Sequence, residues 1–148
     1  MFEKYAGSIE DIDNIELSDI TDLFAFEDFL EYYKLNPDIP WRCDEDDKTT
    51  LLHHAAMDNR TDIIGFLLAH GADIHAVDSG GDTPLHKAVR NCNPEAVEAL
   101  LAAGARPDVP CSAGFTPIQK VQHRPPTWDI AIRMRESFEK RGYPVPKE

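Results

Sequence analysis

Apolar side chains in the middle of this chain recur at helical spacing, in short bursts closed by turn residues. Leu85, Ala88 and Val89 stand three and four apart, so one face of a helix gathers them. Thr83 suits the N-cap of that helix, and Pro84 its first position, where a missing N–H costs nothing. Asn91-Cys92-Asn93-Pro94 breaks it, and a second helix is predicted from Glu95, with Val97, Leu100 and Leu101 inward. Gly104 supplies the left-handed residue that ends this second helix. An earlier stretch repeats the design, with Ile63, Ile64, Leu67 and Leu68 inward and Gly71 at the stop.

The two stretches are copies at a fixed step. Thr50-Leu51-Leu52-His53-His54-Ala55 recurs 33 residues on as Thr83-Pro84-Leu85-His86-Lys87-Ala88, and again as Thr116-Pro117-Ile118-Gln119-Lys120-Val121. Leu67-Leu68-x-x-Gly71-Ala72 keeps the same step to Leu100-Leu101-x-x-Gly104-Ala105. Between copies, Asp78-Ser79-Gly80-Gly81 is a tight-turn signal, and Gly114 takes the place of Gly81 in the next copy. The T-P-L-H-x-A phrase and its period resemble the ankyrin repeat. That resemblance implies an all-α solenoid of about four helix-turn-helix repeats with degenerate capping repeats at both ends.

On this reading residues 1–148 form one domain, with an acidic N-terminal cap at 1–44, well-kept repeats at 45–77 and 78–110, and a degenerate repeat and cap at 111–148. Residues 28–36 look like the second helix of a first repeat, with Asn36 in the glycine position. Residues 1–20 are read as an extra capping helix, the alternative being a loose segment. Pro125-Pro126 interrupts the last repeat, and a helix from Thr127 to about Lys140 is expected to bury Ile130, Met134 and Phe138.

Charge is unevenly placed. Residues 1–47 carry 15 acidic and 3 basic side chains, whereas residues 48–148 carry 12 of each. A phosphate-neutralising surface needs a basic patch, so nucleic acid is not an expected partner, and anionic membranes are disfavoured for the same reason. The apolar runs are too short for a membrane helix, and no secretory signal stands at the N-terminus, so a cytoplasmic location is expected. Three widely spaced cysteines, Cys43, Cys92 and Cys111, read as reduced thiols.

Candidate chemistry is thin. No nucleophile elbow, zinc-protease helix motif or phosphate loop occurs, so an enzyme is not expected. Neither cofactor nor metal is expected: Cys43, His53, His75 and Cys92 lack a zinc spacing, and residues 44–47 lack the glycine and spaced oxygens of a calcium loop. His53 and His86 occupy the histidine of the repeated phrase, where the resemblance implies a hydrogen bond to backbone of the neighbouring turn.

The resemblance also implies binding through turn tips and the exposed face of each first helix. Carried over by position, this surface comprises Glu45, Asp46, Asp47, Thr49, Met57 and Asp58 in one copy. The next copy supplies Val77, Ser79, Gly80, Asp82, Arg90 and Asn91, and the third Pro110, Ser112, Ala113, Phe115, His123 and Arg124. Phe115, at a position the repeat leaves free, is either a binding hot spot or packing over its neighbour. The expected role is a non-catalytic protein-binding module and, by family analogy, a dedicated inhibitor of the immunity type. Its expected partner is a protein with a basic surface, such as a toxin or effector, and the free chain is expected to be a monomer. The alternatives are an adaptor or regulatory subunit and, more remotely, an enzyme or metal-binding regulator.

Overall fold

Three copies of one helical hairpin account for most of the described backbone. The computed structural model describes residues 48–123 and 128–146. The expectations for the acidic cap, the 44–47 loop, Arg124 and Pro125-Pro126 lie outside the described residues. Among the described residues six helices follow in order: α1 (Leu51–Met57), α2 (Thr61–Ala69), α3 (Pro84–Arg90), α4 (Pro94–Ala102), α5 (Pro117–Gln122) and α6 (Asp129–Glu139). Each odd helix packs on its following even helix, α1 stacks on α3 and α3 on α5, and α2 stacks on α4 and α4 on α6. The result is two parallel rows of helices, an all-α solenoid with no strand among the described residues.

The repeated phrase explains the inner row. Thr50, Thr83 and Thr116 each cap a helix by accepting the N–H of the third helical residue, and that residue's side chain returns to the threonine N–H. The outer helices have no such cap of their own. Asn59 of the first copy supplies one from outside: its Oδ1 accepts the Ala96 N–H of α4 at 3.0 Å, while its Nδ2 donates to Glu95 at 3.0 Å. Asn93 answers in the other direction, donating to the carbonyls of Ala56 (2.8 Å) and Met57 (2.7 Å) at the end of α1. The orphan groups at helix ends thus become bonds between copies.

At the far ends of α2, α4 and α6 the chain reverses through Gly71, Gly104 and Gly142, all at positive φ. In each case the following N–H reaches back to Leu67, Leu100 or Phe138, the six-to-one bond that closes a helix on a left-handed residue. The turn glycine at Gly81 has a second reason to be glycine. It is left-handed, and a Cβ there would lie 2.7 Å from the Ser112 nitrogen of the next turn, which donates to the Gly80 carbonyl.

Between the rows lies one continuous apolar core, with Leu51, Leu52, Ile63, Ile64, Leu67, Leu85, Val97, Leu100, Met134 and Phe138 all fully buried. The inward assignment holds except at two edge positions. Leu68 is half-buried, packing against the core from its margin. Ile130 remains 39% exposed, and Ala131 is buried instead, together with Met134 and Phe138. At 100° per residue Ala131 and Phe138 fall on the same side of Met134 and Ile130 on the other, so the helix centres on the former pair. Leu67→Ala is therefore expected to cost ~2–5 kcal/mol, and Leu68→Ala clearly less, in urea denaturation. Equal losses would mean that Leu68 lies deeper than described.

Candidate functional site

Along the inner row the histidines link one copy to the next. The Thr50 N–H donates to His53 Nδ1 at 3.1 Å, which leaves the proton on Nε2. Nε2 then donates 2.8 Å to the Asp82 carbonyl in the following turn. His86 repeats this with Thr83 (3.1 Å) and the Phe115 carbonyl (3.0 Å). This is the backbone-bonding role expected of the two residues. Gln119 keeps only the inward half, accepting the Thr116 N–H at 2.9 Å.

Burial pulls the pKa of both rings below the ordinary histidine value of 6.5, against the opposing pull of the carbonyls they bind and of nearby carboxylates. Because the folded pKa is depressed, the unfolded chain takes up protons first as pH falls. Stability is therefore complete above about pH 6.5 and is lost progressively below it, down to the folded pKa. The urea midpoint should fall between pH 7.5 and pH 5. In His86→Gln, which models the third copy, the midpoint at neutral pH should be lower and its pH slope shallower; an unchanged slope would contradict the assignment.

Beneath the second turn tip lies a charge cluster. Asp78 Oδ1 accepts the Gly80 and Asp82 N–H groups, each at 2.9 Å, and its Oδ2 meets Lys87 Nζ at 2.9 Å. Burial works to raise the Asp78 carboxyl, but the Lys87 bond and the two N–H donors outweigh it, and the net shift is downward. Asp82 meets Arg90 at 2.7 Å, Lys87 at 3.7 Å and Lys120 at 3.6 Å. The last distance is an ion pair but too long for a hydrogen bond, which leaves Asp82 Oδ1 with no hydrogen-bond partner.

Of the residues expected to face a partner, Met57, Asp58, Val77, Ser79, Gly80, Arg90, Asn91, Pro110, Ser112, Ala113, Phe115 and His123 are exposed. Thr49 and Asp82 are corrections, since both are buried. They occupy the same place 33 residues apart, just before the capping threonine. There Asp82 turns inward to its cations, so neither side chain is presented to a partner. Glu45, Asp46, Asp47 and Arg124 lie outside the described residues. The Phe115 ring is 46% exposed and meets the His123 ring edge-on, with centroids 6.4 Å apart. Lys87 and Lys120 were missed, although their recurrence at one offset marked them. Trp128 and Ile132, also exposed, carried no such signal.

Asp82, His86 and Cys111 bring potential metal-ligating atoms within 4.8 Å of one another, all buried. Both His86 ring nitrogens are already engaged, and three cationic side chains surround Asp82. A metal ion would have to break those bonds and enter a positive field, so the trio is polar packing.

A family model described as ankyrin repeats in many copies matches residues 52–101. Residues 52–101 are thus ankyrin repeats. No curated protein matches it. Ankyrin repeats form protein–protein interaction modules and are generally non-catalytic. The matched span holds α2, α3 and nearly all of α1 and α4, hence both histidine links' donors and, from the charge cluster, Asp78, Asp82, Lys87 and Arg90. No described helix is long and apolar enough to cross a membrane.

Proposed function

We propose that this ankyrin-repeat chain is a dedicated binder of one partner protein, acting as an inhibitor of the immunity type. The observation that carries the reading is the exposed band over three consecutive copies, Met57, Val77, Arg90, Phe115 and His123, mounted on a floor stapled by His53 and His86. A rigid floor lowers the ordering cost of binding, which favours one tight partner. Free, the chain is a monomer.

The partner has a cationic surface. The support is the 15 acidic against 3 basic side chains in residues 1–47, which raise encounter rates with positive charge and make association salt-sensitive. Asp46→Lys with Asp47→Lys is expected to slow association while leaving the thermal melt unchanged, and to do so most at low salt. Equal association rates at low salt would remove the electrostatic half of the proposal.

The decisive experiment identifies the partner by affinity capture and then reconstitutes the purified pair. A one-to-one complex in which the partner's activity is silenced supports the inhibitor. A complex in which two different proteins are held at once, both active, makes the chain an adaptor instead.

A further inference from the structure

Along the outer row, α4 lacks the bulk that α2 carries. On α2, Phe66 packs against the core from its margin, and its ring lies 4.0 Å from that of His70. At the 33-residue offset these two residues become Ala99 and Ala103. A groove of about 470 Å³ opens there between α4 and α6, and its only apolar lining is Pro94, Ala99 and Ala102. Ion pairs bridge the two helices beside it. Arg133 of α6 meets Glu95 of α4 at 2.9 Å, and Arg141, just past α6, grips both oxygens of Glu98 at 2.8 and 3.0 Å. Both pairs are wet: Glu95 and Arg133 are 47% and 55% exposed, and Glu98 is 40% exposed. On the inner row the same junction is drier. Lys120 and Asp82 pair at 3.6 Å with side chains only 18% and 5% exposed, and His86 bonds the Phe115 carbonyl.

We propose that α6 is a salt-sensitive clasp, released from α4 along the outer edge as ionic strength rises while the inner edge holds as a hinge. The two edges differ in how salt reaches them. The Debye length falls from about 10 Å at 0.1 M salt to about 3 Å at 1 M, and exposed pairs weaken accordingly, whereas partly buried pairs are screened much less. With no large side chain at Ala99 to keep the helices engaged, the outer edge relies on Glu95–Arg133 and Glu98–Arg141. Loosening it brings water to Met134 and Phe138, the side chains that α6 contributes to the core. In a linear stack such an opening stays local, because each unit touches only its neighbours. Phe115 and His123 stand on the same hairpin, so the clasp also sets how firmly that end of the exposed band is held. The device belongs to the free chain and operates whether or not the protein-binding reading above is right.

Amide hydrogen exchange of the full chain in low and high sodium chloride reads the clasp directly, because local opening governs the exchange of protected amides. Between about 0.1 M and 1 M salt the α6 amides should quicken about threefold to tenfold, the range open to two exposed ion pairs. Those of α3, read in the same molecules, should hardly change. The double variant Arg133→Gln, Arg141→Gln should exchange fast in α6 already at low salt and respond little to more. Arg133→Lys with Arg141→Lys keeps both charges and should retain most of the protection together with the salt response. Four outcomes would each overturn the proposal: α6 indifferent to salt, α3 and α6 quickened alike, a glutamine variant as salt-sensitive as the parent, or a lysine variant that behaves like the glutamine one. The last would assign the hold to the packing of the arginine stems and not to their charge.

Discussion

Phe138→Ala is expected to lower the unfolding free energy by about 3–5 kcal/mol, as for other large aromatic truncations in closed cores. The side chain is fully buried, and it is among the largest in the core. It sits on α6, whose packing onto α4 and α5 holds the third copy against the second. Its carbonyl also receives the Tyr143 N–H in the turn that ends the helix. The loss should not spread evenly. In a linear stack each unit touches only its neighbours, so the third hairpin should open before the first two. Amide hydrogen exchange would then quicken across α5 and α6 well before α1. A uniform acceleration over all six helices would show that the stack unfolds as one unit.

Asp82→Ala is the second large effect. Removing one partner of a buried charge pair costs about 3–5 kcal/mol, and the half-exposed guanidinium of Arg90 puts the expectation at the lower end. Three cations would be left facing one another across the space the carboxylate filled. The His53 link should survive, because it uses the Asp82 carbonyl and not its side chain. The double variant Asp82→Ala, Lys120→Met is therefore expected to recover part of the loss, measured as a coupling in urea unfolding. Strict additivity of the two substitutions would mean that Lys120 and Asp82 do not interact in solution.

What could be read in the sequence was whatever depends on near neighbours. A threonine cap, a proline at the first helical position and a left-handed glycine each act within one turn of helix, so Thr83, Pro84 and Gly104 were legible singly. The repeat offset then carried those assignments from copy to copy. Leu68 and Ile130 were misplaced because periodicity locates the centre of an apolar stripe and leaves its edges to the neighbouring helix. Asp82 looked like a turn residue open to solvent. Its burial depends on Lys87 and Arg90 of α3 and Lys120 of α5, which no local pattern brings together. The same holds for Asn59, whose partners Glu95 and Ala96 lie in the next copy. The candidate binding face was thus legible as a row of positions, while its charge balance required the fold.

Gln119 has a consequence for how such a chain could be lengthened. His53 and His86 each carry a forward-pointing donor that is satisfied only if another loop arrives above it. A histidine at 119 would aim the same donor at whatever followed, whereas the position as it stands is exposed and open to water. Glutamine keeps the cap on Thr116 through Oε1, and its longer, flexible amide can give its N–H groups to solvent without a loop above it. It works as punctuation: a full stop written into a phrase whose other copies end in a comma. Grafting a further repeat after α6 would therefore begin by restoring histidine at 119, so that the added loop has something to answer.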